Sequence, residues 1–431
     1  MKKSWRYLQE FLIFKLIYPV LLKYINEHLI TPNDEMEKNK KENNVPNLEP
    51  EYQQLPILRL TYSILFNYLH ENFISREDLL EQCQEKNNLY QLNYEEAIYL
   101  EPAISYQEIP TAFREKEGKF EFTNPFAAVV KNVELFGIHG IGFTQEKKII
   151  LEIVLDRVDV LEHTAISTLR QGFNFQYLTP VKNIEHIDLA CSLVNYWSPL
   201  YAHWIYEALT RLEVLEYYSQ NIGKKPKLII DKNPPIWETR SLELMGYRPE
   251  DYIEWNGTRA RINELVICSK RREGGRISIK ACHWVRERIL SNVDSYANQN
   301  LLLSPKIFIS RRKANARRIL NEEQVIDTLA KMDFVPYVLE DLDFADQVKL
   351  FAQAEFIIAP HGGGVTNIIF SQNLTLIELF GQKISHFYYT VAQGLKFDYA
   401  CMFCEAKNED IIVNCQELTK MVDKMTKTKI G

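Results

Sequence analysis

Short apolar segments alternate with amphipathic ones through the last third of the chain, and this alternation constrains the fold more than any other feature. The segments "KIFISR", "FVPYVLE", "EFIIAP" and "LTLIELF" predict strands, whereas "NEEQVIDTLAKM" and "FADQVKLFAQA" predict helices. Such alternation is typical of a parallel sheet with helices on its faces. Residues 185–300 repeat the pattern less clearly. We therefore predict an α/β fold of two Rossmann-like domains with a ligand site in the cleft between them.

Length and composition fit two globular domains. The chain has 431 residues, more than the roughly 250–300 at which a single core stops growing. A hydrophobic content of 46% and a charged content of 25% exclude a mainly disordered chain, a collagen-like fibre and a coiled coil. The net charge of −6 does not favour a nucleic-acid binder, which normally carries a basic excess.

The sequence divides into five predicted regions. They are an apolar, amphipathic helix over 1–30, a flexible linker over 31–54, a helical and β region with the first Rossmann-like domain over 55–300, a second Rossmann-like domain over 301–385, and a strand with helices over 386–431 that packs back on the body. Residues 55–110 are predicted to be mostly helical, with Ser75 and Asp78 in an approximate capping box.

The N-terminal helix and the cysteines bear on location. The apolar run of the helix is short, carries two lysines and is broken by a proline, so it does not predict a membrane span. It either lies on an anionic membrane surface or packs against protein. No secretory signal is visible, and seven cysteines form no framework, so we expect a cytoplasmic protein with peripheral membrane contact as the alternative. Cys401 and Cys404 are interpreted as buried side chains in or beside a strand rather than a zinc or redox site.

The strongest local signal is "HGGGVTN" at residues 361–367, between a predicted strand and a predicted helix. Glycines let the backbone approach a ligand closely, and the free N–H groups at a helix start suit an anion such as a diphosphate. The alternative is a tight turn that binds nothing. The candidate residues are His361, Gly362, Gly363, Gly364, Thr366 and Asn367.

A second signal is the basic segment "SRRKANARR" at residues 310–318, directly after a predicted strand. Open α/β folds bind ligands at the carboxyl ends of their strands, and guanidinium groups pair well with phosphate oxygens. We predict a phosphate site here, and a solvated loop is the alternative. The segment contains Arg311, Arg312, Lys313, Arg317 and Arg318.

Three further side chains are candidates for chemistry. His203 and Glu207 are four residues apart on a predicted helix, so the carboxylate can orient an imidazole that acts as a general base. A satisfied core histidine is the alternative, and Tyr201 and Trp204 beside it are either core or sugar-stacking residues. Glu378 ends the predicted strand "LTLIE", where a carboxylate suits two ribose hydroxyls or is simply exposed.

Together these motifs resemble glycosyltransferase family 61, which includes plant xylan glycosyltransferases, animal O-linked N-acetylglucosaminyltransferases and many bacterial capsule-type proteins. The resemblance covers roughly residues 120–400, and Gly363 departs from the alanine that the family usually has. The matching positions are Ser310 with Arg311, "RRILNE" at 317–322, Gln347 with Phe351, "HGGGVTN", Ile377 with Glu378, and the earlier His203, Trp204 and Glu207.

The resemblance implies a GT-B architecture and a metal-independent, inverting transfer of a sugar. The donor is a nucleoside diphosphate sugar, with uridine diphosphate (UDP) expected, and the acceptor is a hydroxyl of a glycan or glycoconjugate, as in capsular polysaccharide synthesis. Neither cofactor nor metal is expected. Arg311 and Arg317 would hold the diphosphate, the segment from His361 to Thr366 would cradle it, and Glu378 would bind the ribose. His203 is the first candidate for the base, with Glu207 as its orienter or as the base itself.

Two other functions stay open at this point. A polysaccharide pyruvyltransferase would use Arg311 and Arg317 for an enolpyruvyl phosphate, but its donor has no ribose for Glu378. A non-catalytic sugar-nucleotide-binding or scaffold protein is the other alternative. A nicotinamide-dependent oxidoreductase is disfavoured because no G-x-G-x-x-G opens either domain. The expected partners are a nucleotide-sugar donor and a glycan acceptor, without nucleic acid, and a homo-oligomer is open.

Overall fold

The computed structural model describes residues 72–170, 184–257, 259–300 and 302–428. The helix predicted for residues 1–30 and the linker predicted for residues 31–54 lie outside these ranges. Within the ranges, no helix is both long enough and apolar enough to cross a membrane.

The strands of the described residues are mostly short. In chain order they are β1 (Phe73–Ile74), β2 (Leu89–Gln91), β3 (Ala97–Leu100), β4 (Gly118–Glu121), β5 (Phe126–Phe136), β6 (Ile141–Phe143), β7 (Ile149–Ile150), β8 (Glu185–Ser192), β9 (Lys227–Ile230), β10 (Tyr252–Glu254), β11 (Arg259–Cys268), β12 (Arg272–Glu273), β13 (Arg276–Ile277), β14 (Lys306–Ser310), β15 (Val335–Val338), β16 (Phe356–Pro360), β17 (Thr375–Phe380), β18 (Asp398–Phe403), β19 (Glu405–Lys407) and β20 (Asp410–Ile412).

The helices lie between these strands. In chain order they are α1 (Arg76–Glu85), α2 (Thr111–Arg114), α3 (Val158–Arg170), α4 (Tyr201–His203), α5 (Leu212–Ile222), α6 (Ile236–Leu244), α7 (Ile279–Asn292), α8 (Glu322–Ala330), α9 (Phe344–Gln353), α10 (Phe387–Gly394) and α11 (Cys415–Thr428). A π-helical turn, Trp204–Ala208, and a 3-10 turn, Leu209–Arg211, join α4 to α5. Further 3-10 segments are Leu151–Val154, Pro249–Asp251, Val293–Ser295, Leu339–Asp341 and Gly363–Phe370.

The described residues fall into two compact units. The first contains the described parts of residues 1–88, Val129–Tyr196 and Trp255–Leu265. In it, β5 pairs with β6 and β6 with β7 in antiparallel fashion, β1 joins β7 in parallel, and β8 pairs with β11 in parallel. The second unit contains Leu89–Ala128, Trp197–Glu254 and Val266–Gly431 as far as they are described, and it carries every candidate site residue.

A five-stranded parallel sheet forms the centre of the second unit, in the order β15-β14-β16-β17-β18. Every residue of β16 and β17 is buried, because both strands are apolar and helices cover both faces. Their apolar side chains join those of α8 and α11 in one core, which includes Phe308, Val325, Ile358, Ile377 and Met421. The predicted α/β class with parallel pairing is confirmed, whereas the domain boundaries near residues 300 and 385 stay predictions.

Several local predictions are confirmed and one is wrong. Ser75 and Asp78 form the predicted capping box at α1, and Cys401 is a buried free thiol within β18. The mostly helical prediction for residues 55–110 fails in the described part, where β2 and β3 follow α1. In β3 the side chains alternate between exposed and buried positions, which is the period of a strand and not of a helix.

The residue before α8, Asn321, joins that helix to another segment of the chain. Asn321 lies at the cap position, but its side chain accepts no hydrogen bond from a backbone N–H of the described first turn; its Nδ2 donates instead to Oε1 of Gln324 at 3.3 Å. Its Nδ2 donates to the carbonyl of Val413 at 2.9 Å, and its Oδ1 accepts from the N–H of Val413 at 3.0 Å. The side chain therefore joins α8 to the chain that follows β20.

A partly buried and a fully buried carboxyl group follow β9. Asp231 comes directly after the strand, and Glu238 lies in the first turn of α6 with no exposed surface. Burial raises the pKa of Asp231 to about 6. Burial and the neighbouring Asp231 raise the pKa of Glu238 to about 9. Between pH 4.5 and 9 the folded chain therefore holds a proton that the unfolded chain releases, so stability falls as the pH rises through this window.

We expect the Glu238→Gln variant to remove this loss of stability. The amide stays neutral, so the variant should match the wild type near pH 5 and exceed it by about 1 kcal/mol or more at pH 8. Urea unfolding from pH 5 to pH 9 measures the difference. Glu243→Gln changes an exposed carboxyl on the same helix and is the control. A pH-independent difference for Glu238→Gln would contradict the raised pKa.

Candidate active site

Residues 361–367, called the glycine segment from here on, connect a buried strand to a short helix, as the sequence predicts. β16 ends at Pro360, and the 3-10 helix Gly363–Phe370 begins after a two-residue turn. β16 pairs in parallel with β14, so their carboxyl ends lie at the same edge of the sheet. The glycine segment follows one of these ends and the basic segment follows the other. The structure thus brings the two predicted anion-binding motifs to one place.

Arg311 lies directly against Gly362. A Cβ atom at residue 362 would clash with Nη1 of Arg311, so a side chain at this position would displace the guanidinium from where it lies. Among the described residues, a Cβ at Gly363 meets no atom within 4 Å, and one at Gly364 would lie 2.8 Å from Cδ1 of Leu339. Gly362 is therefore the glycine that the position of Arg311 requires, whereas Gly363 has space for a methyl group.

The cations of the basic segment divide into two groups. Within the described residues three of them form ion pairs with carboxylates, whereas Arg311 and Arg317 form none. The guanidinium of Arg311 instead donates to the carbonyl of Ala316 at 3.0 Å. The ion pairs join Arg312 to Glu322, Lys313 to Asp341 and Arg318 to Asp410.

Arg311 and Arg317 are close enough for their charges to interact. Burial and the charge of Arg317 lower the pKa of Arg311, although a guanidinium stays protonated at neutral pH. The backbone of Arg317 has φ of +59°, in the left-handed region that residues other than glycine rarely adopt. Glu340 and Asp410 act on Arg311 from a distance, but within the described residues neither Arg311 nor Arg317 forms an ion pair. Two guanidinium groups whose charges interact, beside the start of a helix, form a site that suits an anion.

His203 and Glu207 contact each other as predicted. Nδ1 of His203 lies 2.7 Å from Oε2 of Glu207, and the imidazole stacks on Trp197 with ring centroids 5.2 Å apart. The second carboxylate oxygen of Glu207 accepts a hydrogen bond of 3.0 Å from Nη1 of Arg272. Arg272 in turn lies over the ring of Phe387. Both oxygens of Glu207 are thereby engaged.

These contacts fix the charge state of Glu207. Burial would raise its pKa, but the hydrogen bonds and charges of His203 and Arg272 outweigh burial and lower the pKa to about 2. Glu207 is therefore a carboxylate at neutral pH. His203 is about one-quarter exposed, and its Nε2 has no hydrogen-bond partner among the described residues. This nitrogen is the one available to a substrate.

The chain around His203 is fastened to the glycine segment. The hydroxyl of Tyr201 donates to Oδ1 of Asn367, and the hydroxyl of Tyr206 donates to the carbonyl of Thr366 at 2.8 Å. Between them the helix widens into the π-helical turn Trp204–Ala208, a distortion that is frequent at functional sites. Trp204 is fully buried, so of its two interpretations the structure supports the core residue.

Thr366 and Asn367 are also held by side-chain contacts. Oγ1 of Thr366 lies 2.9 Å from the hydroxyl of Tyr388, and Nδ2 of Asn367 donates to Oε1 of Gln347 at 2.9 Å. Both residues are fully buried. Their side chains therefore stabilise the helix that carries them, and a contact of either with a ligand stays a prediction.

Glu378 lies deeper in the sheet than its sequence position suggests. The prediction that it ends its strand is wrong, because β17 continues to Phe380 and stays paired with β18. Glu378 has no exposed surface. One carboxylate oxygen lies 2.6 Å from Nδ1 of His361, and the other accepts a hydrogen bond of 2.8 Å from the hydroxyl of Tyr399. Because the carboxylate is covered, a ribose hydroxyl does not reach it in this arrangement, and the ribose contact stays a prediction.

Sequence reasoning missed Arg272 and Tyr399. Arg272 lies in the basic, glycine-containing stretch "SKRREGG" at 269–275, and that stretch was the available signal. Tyr399 lies in an apolar strand, where nothing marks it as the partner of a buried carboxylate. Both contacts depend on chain segments that are distant in sequence, so spacing alone does not reveal them.

The arrangement combines an anion site with a base. The two arginines and the glycine segment can hold a leaving phosphate, and His203 can accept a proton through Nε2. Within the described residues, no group of three or more His, Cys, Asp and Glu side chains is placed to hold a metal ion. Independence of the reaction from metal ions is still a prediction from the sequence.

Comparison with known proteins identifies the family. Residues 201–377 match the family model Glycosyltransferase 61, and no curated protein matches the chain. The match includes His203, Glu207, both unpaired arginines and the whole glycine segment, and it ends one residue before Glu378. The resemblance seen in the motifs is thereby confirmed: residues 201–377 form a glycosyltransferase family 61 domain, and the chain that carries it is a glycosyltransferase.

Proposed function

We propose that the protein is an inverting, metal-independent glycosyltransferase that moves a sugar from a nucleoside diphosphate donor, expected to be UDP-linked, to a hydroxyl of a glycan or glycoconjugate. The observation that carries the donor assignment is the pair Arg311 and Arg317, the two cations of the basic segment without a carboxylate partner in the described residues. A diphosphate supplies the missing negative charge. The GT-B arrangement, the cytoplasmic location and a role in capsule synthesis belong to this proposal.

The anion site explains how the leaving group is stabilised. The bond between the anomeric carbon and the diphosphate oxygen breaks in the transfer, and negative charge builds up on the departing nucleoside diphosphate. Fixed guanidinium groups and helix N–H donors aimed at that charge lower the barrier, because they need no rearrangement during the step. Arg311 and Arg317 fill this role in the proposal, with the turn at Gly362 as the backbone donor.

The new bond forms between the acceptor and the anomeric carbon of the donor sugar. The hydroxyl oxygen of the acceptor attacks the anomeric carbon from the face opposite the diphosphate, so the configuration at that carbon inverts. The hydroxyl proton passes to Nε2 of His203, because Nδ1 is committed to Glu207. Glu207 is less suited to be the base, since Arg272 and His203 engage both of its oxygens and its pKa is about 2. The products are the glycoside and the nucleoside diphosphate.

The match to a glycosyltransferase family favours this proposal over the pyruvyltransferase and the scaffold alternatives. Binding gives a direct comparison, since a pyruvyltransferase would prefer phosphoenolpyruvate to UDP. Isothermal titration with the two compounds, followed by a panel of UDP-sugars with glycan acceptors, tests the donor class. Binding of phosphoenolpyruvate but not of UDP would contradict the proposal.

Replacing the base should separate catalysis from donor binding. We expect His203→Ala to lower the rate of transfer roughly 100- to 10,000-fold and to leave the Kd of UDP unchanged. The release of UDP from a UDP-sugar in the presence of acceptor measures the rate. His186→Ala, at an exposed position in β8, is the control and should keep the wild-type rate. Wild-type turnover by His203→Ala would refute His203 as the base.

The glycines should differ in their tolerance of a side chain. We expect Gly362→Ala to displace the guanidinium of Arg311 and to weaken UDP binding roughly tenfold or more, since a shift of about 1 Å at such a site is costly. Gly363→Ala is the matched control and should bind UDP as the wild type does, because its Cβ meets no atom of the described residues within 4 Å. Equal affinities for the two variants would contradict the contact between Arg311 and Gly362.

The role of Glu378 can be decided with two ligands. Because its oxygens bind His361 and Tyr399, we expect Glu378→Gln to act through His361 and to weaken the binding of inorganic pyrophosphate and of UDP by the same factor. A ribose contact predicts a different result, in which only UDP binding is weakened. Titration calorimetry with both ligands distinguishes the two roles.

A further inference from the structure

The hairpin of β19 and β20 lies outside the residues that match the family, yet it runs beside the basic segment. The match ends at residue 377, whereas the two strands pair antiparallel over Glu405–Lys407 and Asp410–Ile412. Ile411 of the hairpin is buried and forms a parallel bridge with Ile319. The hairpin is thus packed against the stretch of chain that carries Arg317.

Backbone hydrogen bonds join the two stretches on both sides of that bridge. The N–H of Arg317 donates to the carbonyl of Glu409 at 3.0 Å, and the N–H of Ile411 donates to the carbonyl of Arg318 at 2.9 Å. The N–H of Leu320 donates to the carbonyl of Ile411 at 2.8 Å. The backbone from Arg317 to Leu320 therefore runs alongside the hairpin.

The side chain of Asp410, in the hairpin, forms hydrogen bonds to Arg318. Its Oδ1 accepts from the backbone N–H of Arg318 at 2.9 Å, and its Oδ2 accepts from Nε and Nη2 of the same residue at 3.1 and 2.7 Å. Asp410 is buried, although the side chain of Arg318 is about half exposed. One carboxylate thus fixes both the backbone and the side chain of the residue after Arg317.

Arg317 needs such support for two reasons. Its left-handed backbone costs about 1 kcal/mol relative to the usual conformations, and residues keep such a conformation only where their surroundings impose it. Its guanidinium also lies near that of Arg311, and the two like charges repel. A chain without the hairpin contacts would relax both strains by moving Arg317 away.

We propose that the β19–β20 hairpin is a positioning element of the donor site, in which Asp410 holds Arg317 beside Arg311 ready for a diphosphate. The inference rests on the proposed function in that the diphosphate is part of the sugar donor. Asp410 touches no ligand in this account and acts through the backbone of Arg317 and Arg318. Residues outside the matched family domain thereby complete its anion site.

The direction in which Asp410→Asn changes the Kd of an anion distinguishes positioning from a simple effect of charge. Asp410 is a negative charge close to an anion site, so its removal should tighten anion binding if charge alone mattered. Loss of positioning predicts the opposite. We expect Asp410→Asn to raise the Kd of inorganic pyrophosphate, and that of UDP, roughly tenfold. Asp341→Asn, which frees Lys313 on the same segment, is the matched control and should not weaken binding.

A double-mutant cycle shows whether Asp410 acts through Arg317. Arg317→Ala should weaken pyrophosphate binding, and adding Asp410→Asn to it should cause no further loss. Circular dichroism and thermal unfolding establish that each variant is folded. If Asp410→Asn does not fold, Asp410→Glu, which keeps the charge but lengthens the side chain, takes its place in the cycle with the same expected result.

Three results would overturn the inference. Tighter or unchanged pyrophosphate binding by a folded Asp410→Asn variant would show that the hairpin does not position the site. An equal loss with and without Arg317 would show a general structural effect. An unaltered Kd for Arg317→Ala would remove Arg317 from the site, and if Arg311→Ala also binds normally, the proposed donor site itself fails.

Discussion

The repulsion between Arg311 and Arg317 is the interaction on which the rest of the site depends. Like charges held together in a partly buried place are unfavourable until an anion arrives, and the fold has to keep them there. Three features do so. β14 ends at Ser310, which places Arg311 at the carboxyl edge of the sheet. Gly362 leaves room for the guanidinium of Arg311. The β19–β20 hairpin forms backbone hydrogen bonds that hold Arg317. The neighbouring cations, by contrast, are neutralised by their own carboxylates.

The proposed base, His203, is held by its own ion-pair network. Hydrogen bonds from the same helix connect it to the anion site. Glu207 is neutralised by Arg272, so its carboxylate orients His203 without adding a net negative charge where a diphosphate has to bind. Tyr201 and Tyr206 then fasten the helix of the base to the helix after the glycine segment. A shift of the helix that carries His203 relative to the glycine segment would break these hydrogen bonds. They therefore hold the proposed base and the proposed anion site in a fixed relative position.

The features that were predictable from the sequence are those that local spacing determines. The strand, glycine turn and helix around residues 361–370 follow from a buried apolar run, three glycines and a second apolar run, and the contact of His203 with Glu207 follows from helical periodicity. The contacts that were missed join distant segments. Arg272 is 65 residues from Glu207, and Asp410 is 92 residues from Arg318. Glu378 lies inside its strand and not at its end, because Leu379 and Phe380 continue the pairing with β18.

In the proposed mechanism fixed cations take the place of a metal ion, and this gives a physical reason for the proposed site to reach beyond the matched domain. In the proposed mechanism, guanidinium groups do what a divalent ion does in other enzymes that transfer from nucleoside diphosphates. A divalent ion enters with the substrate, so a metal-dependent site carries no fixed pair of cations when it is empty. Arginines are charged at all times, and the folded chain has to oppose their repulsion in every state. Contacts such as those of Asp410 are therefore expected wherever paired arginines replace an ion, and they can come from any segment that the fold brings alongside.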